Sequence, residues 1–133
     1  GYMLENGATT VWEGWNGYTR ENGFEDPEMN SFNHYSLGSC VEWLYSYVLG
    51  IKLFPETEKV ITNPSFCELL SFAKGETQLK SGKISVYWKY ENASVCLEVK
   101  ADDGIEYEID YTSKKIISMI RTGNDTIAVF RAQ

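Results

Sequence analysis

The hydrophobic pattern of this chain changes its period once, at the stretch "GIKLFPE" of residues 50–56. Before that stretch, apolar residues recur at steps of three and four from Leu37 to Ile51, which is the period of one helix face. After it, short strand-like runs are separated by turn sequences such as "YENAS" and "ADDG". We therefore predict a mixed α and β chain, in which a short helical segment precedes an antiparallel, jelly-roll-like β-sandwich.

This break also predicts the domain organisation. Gly50 suits the position just past a helix end, and Pro55 follows it closely. We assign residues 1–53 to a helical part and residues 54–133 to the sandwich. One helix cannot bury its apolar stripe alone. Residues 1–53 are therefore expected to be the end of a larger helical domain, with the stripe covered by the sandwich or by a second copy of the chain. The opening "GYMLENG" is typical of the last turns of another helix, with Gly7 past its end.

Six strands are predicted after the break. They span residues 66–73, 83–90, 94–101, 105–111, 115–121 and 126–131. In "GKISVYWKY", Ile84, Val86 and Trp88 alternate with polar neighbours, so they share one face of a strand. We expect that face to be the core face, which makes Trp88 a core residue and not a platform for a sugar.

Net negative charge and aromatic residues are concentrated in the first fifty positions. That segment holds seven acidic residues against Arg20 alone, while the whole chain carries a net charge of −7. Nucleic-acid binding needs clustered Lys and Arg, so we predict no nucleic-acid partner. No apolar run reaches the roughly 18 residues of a membrane span, so we predict no membrane span. The segment suits an uncharged polar ligand such as a sugar, although a partly buried helical segment with an acidic face explains the same composition.

One carboxylate stands between two tryptophans in "TTVWEGWNG", residues 9–17. Desolvating a carboxylate beside indole rings is costly unless something pairs with it or uses it. Glu13, between Trp12 and Trp15, has two open roles. It is a general acid or base with a pKa raised by apolar walls, or it is a structural carboxylate that caps a backbone N–H or pairs with Arg20.

The chain has a single histidine, His34, in "NSFNHYSLGS". It has no second imidazole with which to bind a metal, but it can hydrogen-bond a substrate hydroxyl. The alternative is a histidine satisfied by the backbone at a helix start, with Asn30 or Ser31 as the N-cap. A Ser–His–Asp triad is formally available, but no "GxSxG" motif supports it.

No metal or cofactor is predicted. The acidic stretch "ENGFEDPE" of residues 21–28 departs from the EF-hand spacing and favours a solvated loop. Cys40, Cys67 and Cys96 lie far apart, without the spacing of a zinc site or a disulfide framework. We expect them to be buried free thiols.

Two longer stretches resemble a known family. "GYMLENGATTVWEGWNGY" and "MNSFNHYSLGSCVEWLYSYVLGI" resemble the end of the catalytic barrel of bacterial α-L-rhamnosidases. "SGKISVYWKYENASVCLEV" is similar to a G-x-I-x-V-x-W strand in the C-terminal β-sandwich of that family. The likeness covers essentially all of residues 1–101 and weakens from Ile105 onward.

The resemblance implies an (α/α)₆ barrel that removes terminal α-L-rhamnose with inversion. The glutamate of its "TTxWE" motif acts as the general base, which is Glu13 here. The histidine of "NSFNHY" contacts the sugar, which is His34 here, and Trp12 and Trp15 are expected to line the site. The general acid and most sugar-binding residues lie earlier in the barrel, so the missing N-terminal part of the barrel is an expected partner.

A second class of function stays open. The chain is the C-terminal part of a glycoside hydrolase acting on a rhamnose-containing glycoside, or it is a free-standing carbohydrate-binding or interaction module built on the β-sandwich. The compartment, bacterial cytoplasm or periplasm, also stays open, although free cysteines favour a reducing one.

Overall fold

Most of the regular backbone is β-strand. The structure, a computed structural model, describes residues 2–28, 30–57 and 59–132. Its helical elements are α1 (Tyr2–Glu5), α2 (Tyr35–Gly38), α3 (Cys40–Trp43) and a π-helical turn (Leu44–Val48). Its strands are β1 (Tyr18–Thr19), β2 (Gly23–Phe24), β3 (Ile51–Phe54), β4 (Lys59–Thr62), β5 (Phe72–Leu79), β6 (Gly82–Glu91), β7 (Ser94–Ala101), β8 (Tyr107–Ile109), β9 (Ile116–Thr122) and β10 (Asp125–Arg131). None of the described helices has the length and apolar character to cross a membrane.

The chain divides into two compact units, Gly1–Val41 and Glu42–Gln133. The second unit holds a five-stranded antiparallel sheet in the order β5-β6-β7-β10-β9 and a three-stranded sheet in the order β3-β4-β8. Strand β8 pairs with β4 in parallel, and the other pairings are antiparallel. The predicted fold class, a short helical segment followed by an antiparallel sandwich, is confirmed. The predicted division at residue 53/54 stays a prediction.

The sandwich core forms where the inward faces of the two sheets meet. On β6, Ile84, Val86 and Trp88 are fully buried, as the alternation predicted. Val60 of β4 and Tyr107 of β8 belong to the same core cluster and come from the three-stranded sheet. In a long strand such as β6, the period-two alternation of the sequence therefore indicates which side chains are buried.

The helical segment ends at Val48, with Leu49 as its C-cap residue, so Gly50 occupies the predicted position just past the helix end. Gly50 has φ +73°, and a Cβ there would lie 2.1 Å from the backbone nitrogen of Pro64. Only glycine accommodates both the left-handed backbone and this close approach. Ile51, assigned to the helix face by its spacing, is instead the first residue of β3, because the chain reverses at Gly50.

Two predictions for the strands are wrong. Residues 66–73 were expected to form a strand, but Phe66 has φ +25° and a turn follows it, closed by a hydrogen bond from Leu70 N–H to the Cys67 carbonyl at 3.0 Å. The strand β5 begins only at Phe72. The sequence pattern also missed β3 and β4, which have four residues each and are too short to show a clear period.

The structure corrects the expectation for the cysteines and confirms the one for the end of the first helix. Cys40 is exposed, and Cys67 and Cys96 are half-buried, so the thiols are free but not buried as predicted. The predicted helix end at "GYMLENG" is confirmed. Gly7 has φ +75°, and Ala8 N–H donates to the Met3 carbonyl at 3.0 Å, which closes a Schellman-type cap.

Candidate active site

Two segments of the first unit lie side by side and hold the residues that the sequence singled out. The backbone N–H of Glu13 donates to the Ser31 carbonyl at 2.9 Å, and the N–H of His34 donates to the Val11 carbonyl at 2.7 Å. These bonds join residues 11–13 to residues 31–34, although about twenty positions separate the two segments in sequence. Glu13 and His34 are therefore brought together by backbone pairing.

The two side chains face each other at close range. His34 Nδ1 lies 3.8 Å from Glu13 Oε2, and the side chains are 31% and 55% exposed respectively. This separation is longer than a hydrogen bond, so both groups keep hydrogen-bonding capacity for a third molecule. A solvent-accessible carboxylate beside an imidazole can accept a proton from a bound water, and the imidazole can orient a hydroxyl.

Two details of the structural alternatives differ from the described contacts. His34 itself occupies the N-cap position of α2, in place of Asn30 or Ser31, and its side chain makes no capping hydrogen bond. Within the described ranges, no ion pair joins Glu13 to Arg20. The catalytic and sugar-binding roles of these side chains are taken up below as proposals.

Aromatic rings support one side of this arrangement. The Trp12 ring packs edge-on against Phe32, with the centroids 5.0 Å apart, and Phe32 in turn contacts Phe24 at 5.7 Å. Trp12 is half-buried by these contacts, whereas Trp15 is 83% exposed. The structure thus gives Trp12 a fixed position beside Glu13, while the role expected for Trp15 stays a prediction.

A small cavity of about 140 Å³ opens beside the Glu13 carboxylate. Glu25, Asp26 and Phe32 also line it. Glu25 lies next to Gly14, since a Cβ on Gly14 would be in ordinary contact with Glu25 Oε2 at 3.5 Å. The sequence predicted a solvated loop for residues 21–28 and did not indicate that its carboxylates line a cavity. The available signal was the pair of closely spaced glycines in "EGWNG", which line the same cavity. Among the described residues, no group of three His, Cys, Asp or Glu side chains is arranged to hold a metal ion.

Comparison with known proteins gives matches that include parts of both units. Residues 1–48 match the family model described as the bacterial alpha-L-rhamnosidase 6 hairpin glycosidase domain. An alpha-L-rhamnosidase of Alteromonas sp. (strain LOR) is 44% identical over 88 residues, which are 65% of this chain and 10% of that protein. An alpha-L-rhamnosidase of Formosa agariphila is 33% identical over 110 residues, which are 82% of this chain and 12% of that protein.

Solved structures agree with these sequence matches. The crystal structure of Streptomyces avermitilis alpha-L-rhamnosidase complexed with L-rhamnose superposes with a TM-score of 0.66 at 25% identity, covering 99% of this chain and 14% of that one. An alpha-L-rhamnosidase structure from Dictyoglumus thermophilum gives a TM-score of 0.69 at 23% identity, covering 100% of this chain and 17% of that one, and shows the same fold. The chain spans only about a tenth of the length of the curated relatives. In sequence and in fold, the chain corresponds to a C-terminal part of the bacterial α-L-rhamnosidases.

Proposed function

We propose that this chain supplies the general base of an inverting α-L-rhamnosidase, with Glu13 as the base. The observation that carries the proposal is the 3.8 Å approach of His34 Nδ1 to Glu13 Oε2, which joins the two residues singled out by separate motifs. The relatives named above are alpha-L-rhamnosidases, which supports a rhamnose-containing glycoside as the substrate.

The chemistry needs two carboxyl groups on opposite sides of the scissile bond. In an inverting glycosidase these lie about 6.5–9.5 Å apart, which leaves room for a water between the base and the anomeric carbon. Glu13 takes one proton from that water as the oxygen attacks the anomeric carbon. The glycosidic C–O bond breaks, and the general acid gives its proton to the departing oxygen. The acid comes from the part of the barrel that precedes these residues in the family.

His34 and the two tryptophans have supporting roles in this proposal. The imidazole lies within reach of a sugar hydroxyl held at Glu13, so it binds and orients the sugar. Trp12, fixed against Phe32, limits the movement of the adjacent backbone and therefore of the base. Trp15 is expected to become a wall of the pocket when the rest of the barrel is present, because its ring is free to be covered.

We expect the 133-residue chain alone to show no turnover of nitrophenyl α-L-rhamnoside. One carboxylate of a two-carboxylate reaction gives no useful rate, since acid and base must act on the same bond. A full-length protein that carries this sequence should release nitrophenolate under the same conditions, measured by absorbance. Release by the pure chain would contradict the proposal that the acid lies outside it.

In that full-length protein, we expect His34→Gln to raise KM by about tenfold with a smaller change in kcat. The substitution removes an interaction made with the bound sugar before and during reaction, worth about 1–2 kcal/mol for one hydrogen bond. Steady-state kinetics on the nitrophenyl substrate separate the two constants. A large fall in kcat at unchanged KM would instead place His34 in the proton-transfer step.

The helical segment carries exposed apolar side chains that are available for packing against the rest of the barrel or a second copy. Leu37, Val41 and Leu44 are each 43–51% exposed in this chain. Exposed apolar side chains of this kind favour association over solvent exposure. We therefore keep homo-oligomer formation through these side chains, and packing against the missing barrel helices, as parts of the proposal.

A free-standing carbohydrate-binding or interaction module is the second candidate. The sandwich unit favours it because it has a continuous core of its own. The reading frame upstream of Gly1 separates the two functions. Several hundred further codons for helical repeats would support the hydrolase, and a start codon at or just before Gly1 would support the module.

A further inference from the structure

A cavity of about 640 Å³ lies in the sandwich unit, and Glu13 is not among the residues that line it. Its wall includes Lys52 on β3, Arg131 on β10, and Lys114 and Lys115 from the segment before β9. Glu68 is the one acidic side chain in the described wall. A cavity with an excess of three positive charges is unexpected in a chain whose net charge is −7.

These four cations differ from other lysines of the same unit. On the outer surfaces, Lys59 pairs with Glu108 at 2.8 Å and Lys100 pairs with Glu98 at 2.7 Å. Within the described ranges, no carboxylate lies within 4 Å of the charged nitrogens of the cavity cations. The Asp110 carboxylate acts on Lys114 from a greater distance. Like charges that line one cavity repel one another, and a bound anion lowers that repulsion.

Lys114 is the most restrained of the four. Its ammonium donates to Oδ1 of Asn63, whose amide donates to Asp110 Oδ2 at 2.8 Å. Burial lowers the pKa of Lys114, the Asp110 carboxylate raises it, and the nearby Lys52 lowers it further. A partly buried lysine held in place by a neighbouring amide presents its charge at a fixed point, which reduces the entropy cost of binding an anion.

The cavity wall is also fixed by a special backbone position. Phe66 has φ +25°, which is rare for a bulky residue and persists only where the surroundings determine it. Its ring packs on Phe130 with the centroids 5.3 Å apart, and its carbonyl accepts a hydrogen bond from the Tyr90 hydroxyl at 2.6 Å. The Lys114 ammonium lies 5.6 Å from the centre of the same Phe66 ring. The apolar floor and the cation above it are therefore set before any ligand arrives.

We propose that this cavity binds an anionic oligosaccharide, through a carboxylate or sulfate group placed among Lys52, Lys114, Lys115 and Arg131. The volume falls in the range of about 300–1,000 Å³ typical of small-ligand sites. Tyr90 and Phe66 supply the aromatic surface that the carbon faces of a sugar ring contact. The choice of a carbohydrate rests on the proposed function, whereas the choice of an anion rests on the cavity alone.

Calorimetric titration of the 133-residue chain tests the proposal. The probes are a short oligogalacturonate for the carboxylate, a sulfated oligosaccharide for the sulfate, a neutral malto-oligosaccharide of equal length, and an oligoglutamate peptide. We expect at least one anionic sugar to bind, the neutral sugar and the peptide to bind at least tenfold more weakly, and the affinity to fall as salt is raised.

The triple variant Lys52→Gln, Lys115→Gln, Arg131→Gln is expected to lower the affinity for the anionic sugar by about tenfold or more. All three side chains are exposed, so the fold should persist. The matched control is Lys74→Gln, Lys80→Gln, Lys83→Gln. It makes the same charge change on three exposed lysines that are not among the residues lining the cavity, and one of them, Lys83, pairs with Glu76. We expect it to change the affinity less than twofold.

Several results would overturn the proposal. They are the absence of binding to both anionic sugars, equal binding of the neutral sugar or of the peptide, and equal loss of affinity in the control. The outcome is separable from that for Glu13. In the full-length protein, the triple variant should leave hydrolysis of nitrophenyl rhamnoside unchanged, and Glu13→Gln should leave anionic sugar binding unchanged.

Discussion

A Glu13→Gln variant of a full-length protein that carries this sequence is expected to lose about 10²- to 10⁴-fold in kcat, the usual contribution of a general base. Glutamine keeps the shape of the side chain but cannot accept the proton that the attacking water must lose. Binding of L-rhamnose should change only a few-fold, because the hydrogen-bonding surface presented to the sugar is nearly preserved. Steady-state kinetics with nitrophenyl rhamnoside and calorimetry with rhamnose give the two numbers.

Glu21→Gln is the matched control for this experiment. Glu21 is an exposed acid of the same unit, in the turn between β1 and β2, and does not line the cavity beside Glu13. Its substitution makes the same change of charge and should leave kcat within about twofold. Retention of most activity by Glu13→Gln, or an equal loss in both variants, would refute the assignment of the base.

Trp88→Ala is expected to lower the free energy of unfolding of the sandwich unit by about 3–5 kcal/mol. Trp88 is fully buried, and its indole N–H donates to the Val48 carbonyl at 2.7 Å. The substitution leaves a cavity between the sheets and also leaves that buried carbonyl without its partner. Since domains are stable by only about 5–15 kcal/mol, the urea midpoint should fall sharply.

Two further variants separate the causes. Trp88→Phe keeps most of the ring but removes the donor, and we expect a loss of about 1–3 kcal/mol. Trp43→Ala removes the same side chain from a position that is 53% exposed, and we expect a change within about 1 kcal/mol. Equal losses in Trp88→Ala and Trp43→Ala would show that burial in the core is not the source of the effect.

Long alternating strands were the part of the fold most accessible from sequence. Strand β7 was predicted with its observed ends, Ser94 and Ala101, and β6 differs from its prediction by one residue at each end. Each of these strands has one face in the core and one partly exposed, so the pattern follows directly from burial. Short β3 and β4 lack enough residues to show that period, and Phe66 adopts a backbone conformation that its residue type disfavours.

The candidate sites depend on contacts that no local pattern encodes. Glu13 and His34 meet because Val11 pairs with the second segment through its carbonyl, and any residue type can accept that hydrogen bond. Motif resemblance suggested the two residues, but not their distance. The cationic cavity was not predicted at all, because Lys52 and Arg131 lie at opposite ends of the sandwich sequence and converge only through sheet topology.

The indole of Trp88 has a consequence for how the protein can be divided. Through the Val48 carbonyl, it fastens the last helical turn to the interior of the sandwich, where Leu49 and Ile51 are also buried. A recombinant sandwich that begins at the change of sequence pattern would therefore lack the core residues Val48 and Leu49, and the buried Trp88 N–H would have no acceptor. The smallest fragment that keeps a complete core must therefore include the helical turn that begins at Leu44.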